Sequence, residues 1–204
     1  MATVQILKCQ ACGAPLEPSI LECEYCHSVN IVKTETNPFI LDPKLSNKYA
    51  RFYKEKLKEN PEDAQALYSV GLFYMNLKLY DQAIENFRNA IKQMPENPDL
   101  LYYYALALLK GQKPRKLQIK EVKQIEEYLY SAIQLDDKAK YYYYAAMLRK
   151  DFYEANFLKY QGLSFNDLMN MAKTSDYELE EINILLENCP IKDESLTARI
   201  KSNS

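Results

Sequence analysis

The sequence has 1 His, 4 Gly and no Trp among its 204 residues, and these small numbers exclude the most. One histidine rules out the HExxH motif of zinc proteases and argues against a histidine-based catalytic triad. The four glycines, Gly13, Gly71, Gly111 and Gly162, stand far apart, so neither GxGxxG nor GxxxxGK[ST] can be written. Dinucleotide-binding and P-loop enzymes are disfavoured on that ground alone. No apolar run exceeds the ten residues Leu100 to Leu109, against about 18 needed to cross a bilayer. The opening MATVQILKCQAC lacks the charged-then-apolar pattern of a signal peptide. Net charge is −2, too small to make the whole molecule attractive to nucleic acid or anionic lipid.

Two residue types stand out among those present. Tyrosine is abundant at 18, and four of the five cysteines form two CxxC pairs, Cys9/Cys12 and Cys23/Cys26. In a reducing compartment such pairs read as metal ligands rather than disulfides, which points to the cytoplasm as the expected location. A two-residue gap lets both sulfurs of a pair turn toward one point. Two such knuckles supply the tetrahedral thiolate cage that zinc accepts. Short alternating stretches flank the pairs, Val4 to Leu7 and Val29 to Val32, and predict small strands. Gly13 suits the positive φ of a knuckle turn.

The stretch CQACGAPLEPSILECEYCHSVNIV resembles the zinc ribbons with rubredoxin-type knuckles found at protein termini. His27 stands where those ribbons usually carry glycine, leaving it either a surface histidine or a substitute ligand. Four cysteines close the coordination shell, whereas a catalytic zinc keeps an open position. A unit of about thirty residues buries too little to fold alone, and zinc can contribute roughly 10–16 kcal/mol to such domains. The expected cofactor is therefore one structural zinc on Cys9, Cys12, Cys23 and Cys26. Thioredoxin-like redox chemistry would need a βαβ context that is missing.

Composition shifts near residue 35. A ribbon over 1–35, a linker over 36–42, a helical domain over 43–190 and a polar tail over 191–204 are expected. Asp42-Pro43 and Asn60-Pro61 read as cap-plus-proline helix starts, and Ser175-Asp-Tyr-Glu178 as a capping box. Ala64 to Asn97 spans 34 residues as two helices. Leu67, Val70, Gly71 and Tyr74 lie on the first; Ala83, Phe87 and Ala90 lie on the second, which ends at Pro95. This pattern resembles the tetratricopeptide repeat (TPR). A second unit starts at Pro98 with an eight-residue insertion, Gly111 to Gln118, and a third starts near Lys138 and matches less well. Helices after Ser164 and Ser175 are expected to cap the stack. The fold class is thus mostly α: a TPR-like antiparallel helix-pair solenoid with a small N-terminal zinc-ribbon β domain.

The resemblance implies a groove lined by the first helix of each pair, binding an extended or helical peptide. Its groove-facing places fall on Gln65, Tyr68, Leu72 and Asn76, then Asp99, Tyr102, Leu106 and Lys110, then Tyr142, Ala146 and Arg149. Tyr68, Tyr102 and Tyr142 recur at one place per unit, as a peptide platform or as packing between helices. The lysine and asparagine of the carboxylate-clamp subgroup are replaced by tyrosine here, so no such clamp is expected.

Lys110 to Gln124 carries six basic residues and one acid, either a solvated insertion or a contact for an acidic partner or RNA. The ribbon argues against nucleic acid, because residues 1–35 are net negative before four thiolates are counted. The function these readings support is a non-catalytic adaptor or scaffold for a protein or peptide partner, with no membrane association. The alternative is a nucleic-acid-binding ribbon protein using the 110–123 insertion. A thiol-redox or metal-transfer role would require reactive CxxC thiols, which a closed cage prevents.

Overall fold

The computed structural model describes residues 7–8, 12, 14–16, 23–27 and 43–202. The chain divides into two units, Met1–Asn37 and Pro38–Ser204. In the first, β1 (Leu7–Lys8) and β2 (Pro15–Leu16) pair antiparallel, with Leu7 opposite Leu16 and Lys8 opposite Pro15. The strand expected at Val29 to Val32, together with Cys9, Gly13, Asp42 and the linker, lies outside the described residues.

The second unit is helical. Among the described residues it contains α1 (Pro43–Glu59), α2 (Ala64–Asn76), α3 (Tyr80–Ile91), α4 (Pro98–Leu108), α5 (Ile119–Leu135), α6 (Ala139–Leu148), α7 (Phe165–Thr174), α8 (Leu179–Asn188) and α9 (Glu194–Ser202). Each of α1 to α6 packs against the helix that follows it, and α7 packs against α6. Local chemistry fixes most boundaries. Asp63 and Asn97 accept hydrogen bonds from the Ala66 and Leu100 amides at 2.9 Å, satisfying donors that a helix start leaves free. Asn97-Pro98 therefore starts α4 as a cap followed by proline. The Asn60-Pro61 start is corrected: Asn60 turns back on the Glu62 amide and α2 begins three residues later, behind Asp63.

α2 ends in a Schellman turn built on lysine in place of glycine. Lys78 has φ 59°, and the Leu79 amide reaches back to the Tyr74 carbonyl at 2.8 Å. Gly71 has a different task. A Cβ there would run into the Phe87 ring, so glycine is what lets α2 and α3 approach. Ala83, Phe87 and Ala90 are buried in the same contact.

Three expectations are corrected by the C-terminal third. α6 runs into a π-helical turn, Arg149–Glu154, and its packing partner is α7 rather than residues 152–160. Ser175 does not cap α8; its hydroxyl donates to Asp137 and the Met171 carbonyl, while the capping box belongs to Ser164 and Asp167 on α7. The polar tail contains α9, which buries Leu196 and Ile200. Its sparse apolar residues sit four apart and so share one face. No helix among the described residues is long and apolar enough to cross a membrane.

Candidate functional site

Two places carry chemistry. In the first unit, Cys12, Cys23 and Cys26 bring their sulfurs within 4.8 Å of one another. The Cys12 and Cys23 sulfurs are 3.6 Å apart, well beyond a disulfide bond of about 2.05 Å. A tetrahedral zinc with bonds of about 2.3 Å spaces its sulfurs about 3.8 Å apart, so the three thiols fit a shared ion. Cys23 is buried, and Cys12 and Cys26 are exposed. His27 is exposed, outside this cluster, with φ 53° and its amide bonded to the Cys23 carbonyl at 2.8 Å. It occupies the left-handed conformation for which ribbons use glycine. Cys9, the fourth expected ligand, lies outside the described residues.

The second place is the face formed by α4 and α6, which meets α8. Lys140 is its centre. It is the lone charge in α6, is only 3% exposed, and lies over the rings of Tyr102, Tyr103 and Tyr141 at 4.9, 5.2 and 5.5 Å. Stacked ring faces supply attraction that partly replaces lost water. Its ammonium bonds Asp99 on α4 and Glu181 on α8, both at 2.7 Å. Tyr103 donates to the same Glu181 oxygen at 2.9 Å, and Lys138 and Tyr141 donate to Asp99 at 2.9 and 2.8 Å. Burial alone would raise the Asp99 carboxyl, but the Lys140 and Lys138 charges hold it down at about 2. Burial, with Glu181 nearby, pushes the Tyr102 and Tyr103 phenols well above their ordinary range.

The far end of α8 is tied as well. The Asn188 side-chain oxygen accepts from Lys78 at 3.1 Å and from Tyr80 at 3.2 Å. Cys189, next in the chain, is fully buried, and that burial pushes its thiol well up. It is a small core residue rather than a reactive thiol.

The expected groove contacts divide by burial. Gln65 and Lys110 are exposed, and Tyr68, Asn76 and Asp99 are half-buried. Leu72, Tyr102, Leu106, Tyr142, Ala146 and Arg149 are buried and pack within the helical unit. Tyr102 sits among Tyr103, Tyr141 and Tyr144 rather than presenting its ring to a peptide. Arg149 is 2% exposed and bonds Glu126, Tyr130 and the carbonyls of Gln161 and Leu163. It fastens the loop after the π-turn. In the basic insertion, Lys110 pairs with Asp81 and Arg115 with Asp151, while Pro114 and Leu117 are buried. The segment is thus packed down at four positions instead of being free along its length.

Sequence reading missed Lys140, Lys138, Glu181 and Asn188. A single lysine inside the apolar run of α6 was the available signal. Glu181 gave no separate signal, because an acid in the first turn of a helix is already favoured by the helix dipole.

No family model matches the chain. At 27% identity over 135 residues it is similar to a Guillardia theta protein named "Uncharacterized protein ycf37". The aligned stretch is 66% of this chain and 66% of that protein, so the chain spans just under two thirds of the relative's length.

Proposed function

We propose that this protein is a non-catalytic adaptor: a TPR-type stack of helix pairs that takes a helical or extended segment of a protein partner, joined to a four-cysteine ribbon held by one structural zinc. The observation that carries the reading is that the α4–α6 face already grips a helix. α8 lies on it through a carboxylate and an apolar strip, and its amide reaches past that face to Lys78 and Tyr80 at the α2–α3 turn, the kinds of contact by which helix-in-groove recognition works. Neighbour-to-neighbour packing from α1 to α7 and the Gly71–Phe87 approach support the repeat assignment. The three converging thiols support zinc, with Cys9 as the fourth ligand, and a reduced, cytoplasmic setting. The partner would meet the exposed Gln65 and Lys110 and the half-buried Asn76, Tyr68 and Asp99. The nucleic-acid alternative is weakened because Arg115 is engaged with the buried Asp151 and the insertion is packed down at Pro114 and Leu117.

Photo-crosslinking in host cells tests this. A benzoyl-phenylalanine placed at Gln65 or Asn76 is expected to trap one recurring protein, and one at Glu85 on α3 or Lys123 on α5 is not. Crosslinks to RNA from Lys123, with none to protein from α2, would contradict the adaptor reading.

A further inference from the structure

The geometry points to α8 as a built-in ligand: it holds the α4–α6 face in the place of an acidic amphipathic partner helix, which binds by displacing it. This rests on the adaptor reading above and adds both the class of partner and the step that admits it.

α8 fulfils the requirements of a docked peptide. Its first turn presents Glu181 to Lys140 and Tyr103. Ile182 and Leu185, one and four residues on, are buried, and Asn188, seven on, is held by Lys78 and Tyr80. The two polar ties are thus seven residues apart, about 10 Å along a helix, with an apolar strip between them. The receiving face dictates this order. A buried lysine asks for a carboxylate, and a lysine and a phenol at the other end ask for an acceptor.

The fit is incomplete in two respects. The Tyr102 hydroxyl is buried without a hydrogen-bond partner among the described residues, and it lies on the receiving face. A cleft of about 220 Å³ remains beside the start of α8, lined by Lys138, Lys140, Tyr177, Glu178, Glu181 and Ile182. A partner helix that fills the cleft, or offers Tyr102 an acceptor, would exceed α8 as a ligand.

The connection before α8 provides a pivot. The Asp176 carbonyl accepts from the Ala139 amide at 2.8 Å, and the Asp176 amide donates to the Asp137 carbonyl at 3.3 Å. The chain is therefore stitched to the α5–α6 turn just ahead of α8, so α8 can leave without unravelling α7. A face that is closed 99% of the time weakens a partner's apparent affinity about 100-fold, which sets the gain available from opening.

The test uses the full-length chain and a fluorescent synthetic peptide of residues 175–204. A chain carrying Glu181→Ala and Asn188→Ala together is expected to bind this peptide at least about tenfold more tightly than the unaltered chain. Binding should disappear when the peptide itself carries Glu181→Lys, which sets a positive charge against Lys140. Equal affinity for the two chains, or indifference to the peptide's charge, overturns the proposal. Hydrogen exchange on the unaltered chain gives a second readout that no variant can confuse. Amides of α8 should open at least about tenfold more often than those of α4 and α6, and equal protection overturns the proposal. Neither measurement needs an outside partner, so a failed adaptor reading shows only in the crosslinking experiment.

Discussion

Lys140 shows how much one side chain can decide. It is buried against three phenol rings and bonded to Asp99 and Glu181, so removing it takes a cation from both carboxylates and leaves Asp99 with Lys138. Breaking a buried pair from one side costs roughly 3–5 kcal/mol. Lys140→Met is expected to destabilise the helical unit by about 3 kcal/mol in urea unfolding; a loss below about 1 kcal/mol would show the network to be solvated. Asp99 adds a pH dependence. Its folded-state carboxyl sits at about 2, below its ordinary 3.8, so its stabilisation is complete above about pH 4 and fades as pH falls toward 2. About a third of the side chain meets solvent, so the loss is at most about 2 kcal/mol, and less once screening is counted. Unfolding free energy should therefore decline between pH 4 and 2, and Asp99→Asn should flatten that decline. The lysine was visible in the sequence as one charge in an apolar helix. Its partner was not, because Glu181 lies 41 residues away and only tertiary packing brings the two together.

Helices were legible where their boundaries rest on local chemistry. Asn97-Pro98 caps and starts α4 as its sequence indicates, and the small residues of α2 and α3 mark a close approach. Gly71→Val would press a branched side chain into Phe87, and overpacking of this kind costs about 1–3 kcal/mol. Thermal unfolding should show a loss near 2 kcal/mol. A neutral Gly71→Val would mean that α2 and α3 can separate at little cost. Boundaries set by distant contacts were not legible. Ser175 looks like a cap, yet Asp137, 38 positions earlier, takes its hydroxyl. α9 reads as a polar tail because two apolar residues give too weak a periodic signal, and burial of Leu196 and Ile200 supplies what is missing. The burial of the groove positions was not legible for a related reason. Transferring a family's concave face onto Tyr102 and Leu106 takes that face to be open, and it cannot anticipate a helix 80 residues downstream lying on it.

At the scale of the molecule, two units of different character share one chain. In the proposed reading the first draws its folding energy from a metal on its thiols, whereas the second rests on a continuous apolar core from α2 to α9. Stripping metal with a chelator should therefore expose Cys12, Cys23 and Cys26 to alkylation while leaving the helical circular dichroism nearly unchanged. A parallel loss of helix would contradict that independence. Cys189 should stay protected throughout, because it is fully buried at the end of α8 and stands outside the thiol cluster. That makes it the reporter for the account's central claim, that the helical stack holds a detachable helix on its α4–α6 face. Alkylation of Cys189 in the metal-loaded, full-length protein, followed by mass spectrometry across low urea concentrations, measures this directly. The account predicts labelling through a local opening: a rate nearly independent of urea well below the unfolding midpoint, with α4 and α6 amides still protected. Labelling that rises with urea in step with global unfolding would contradict it.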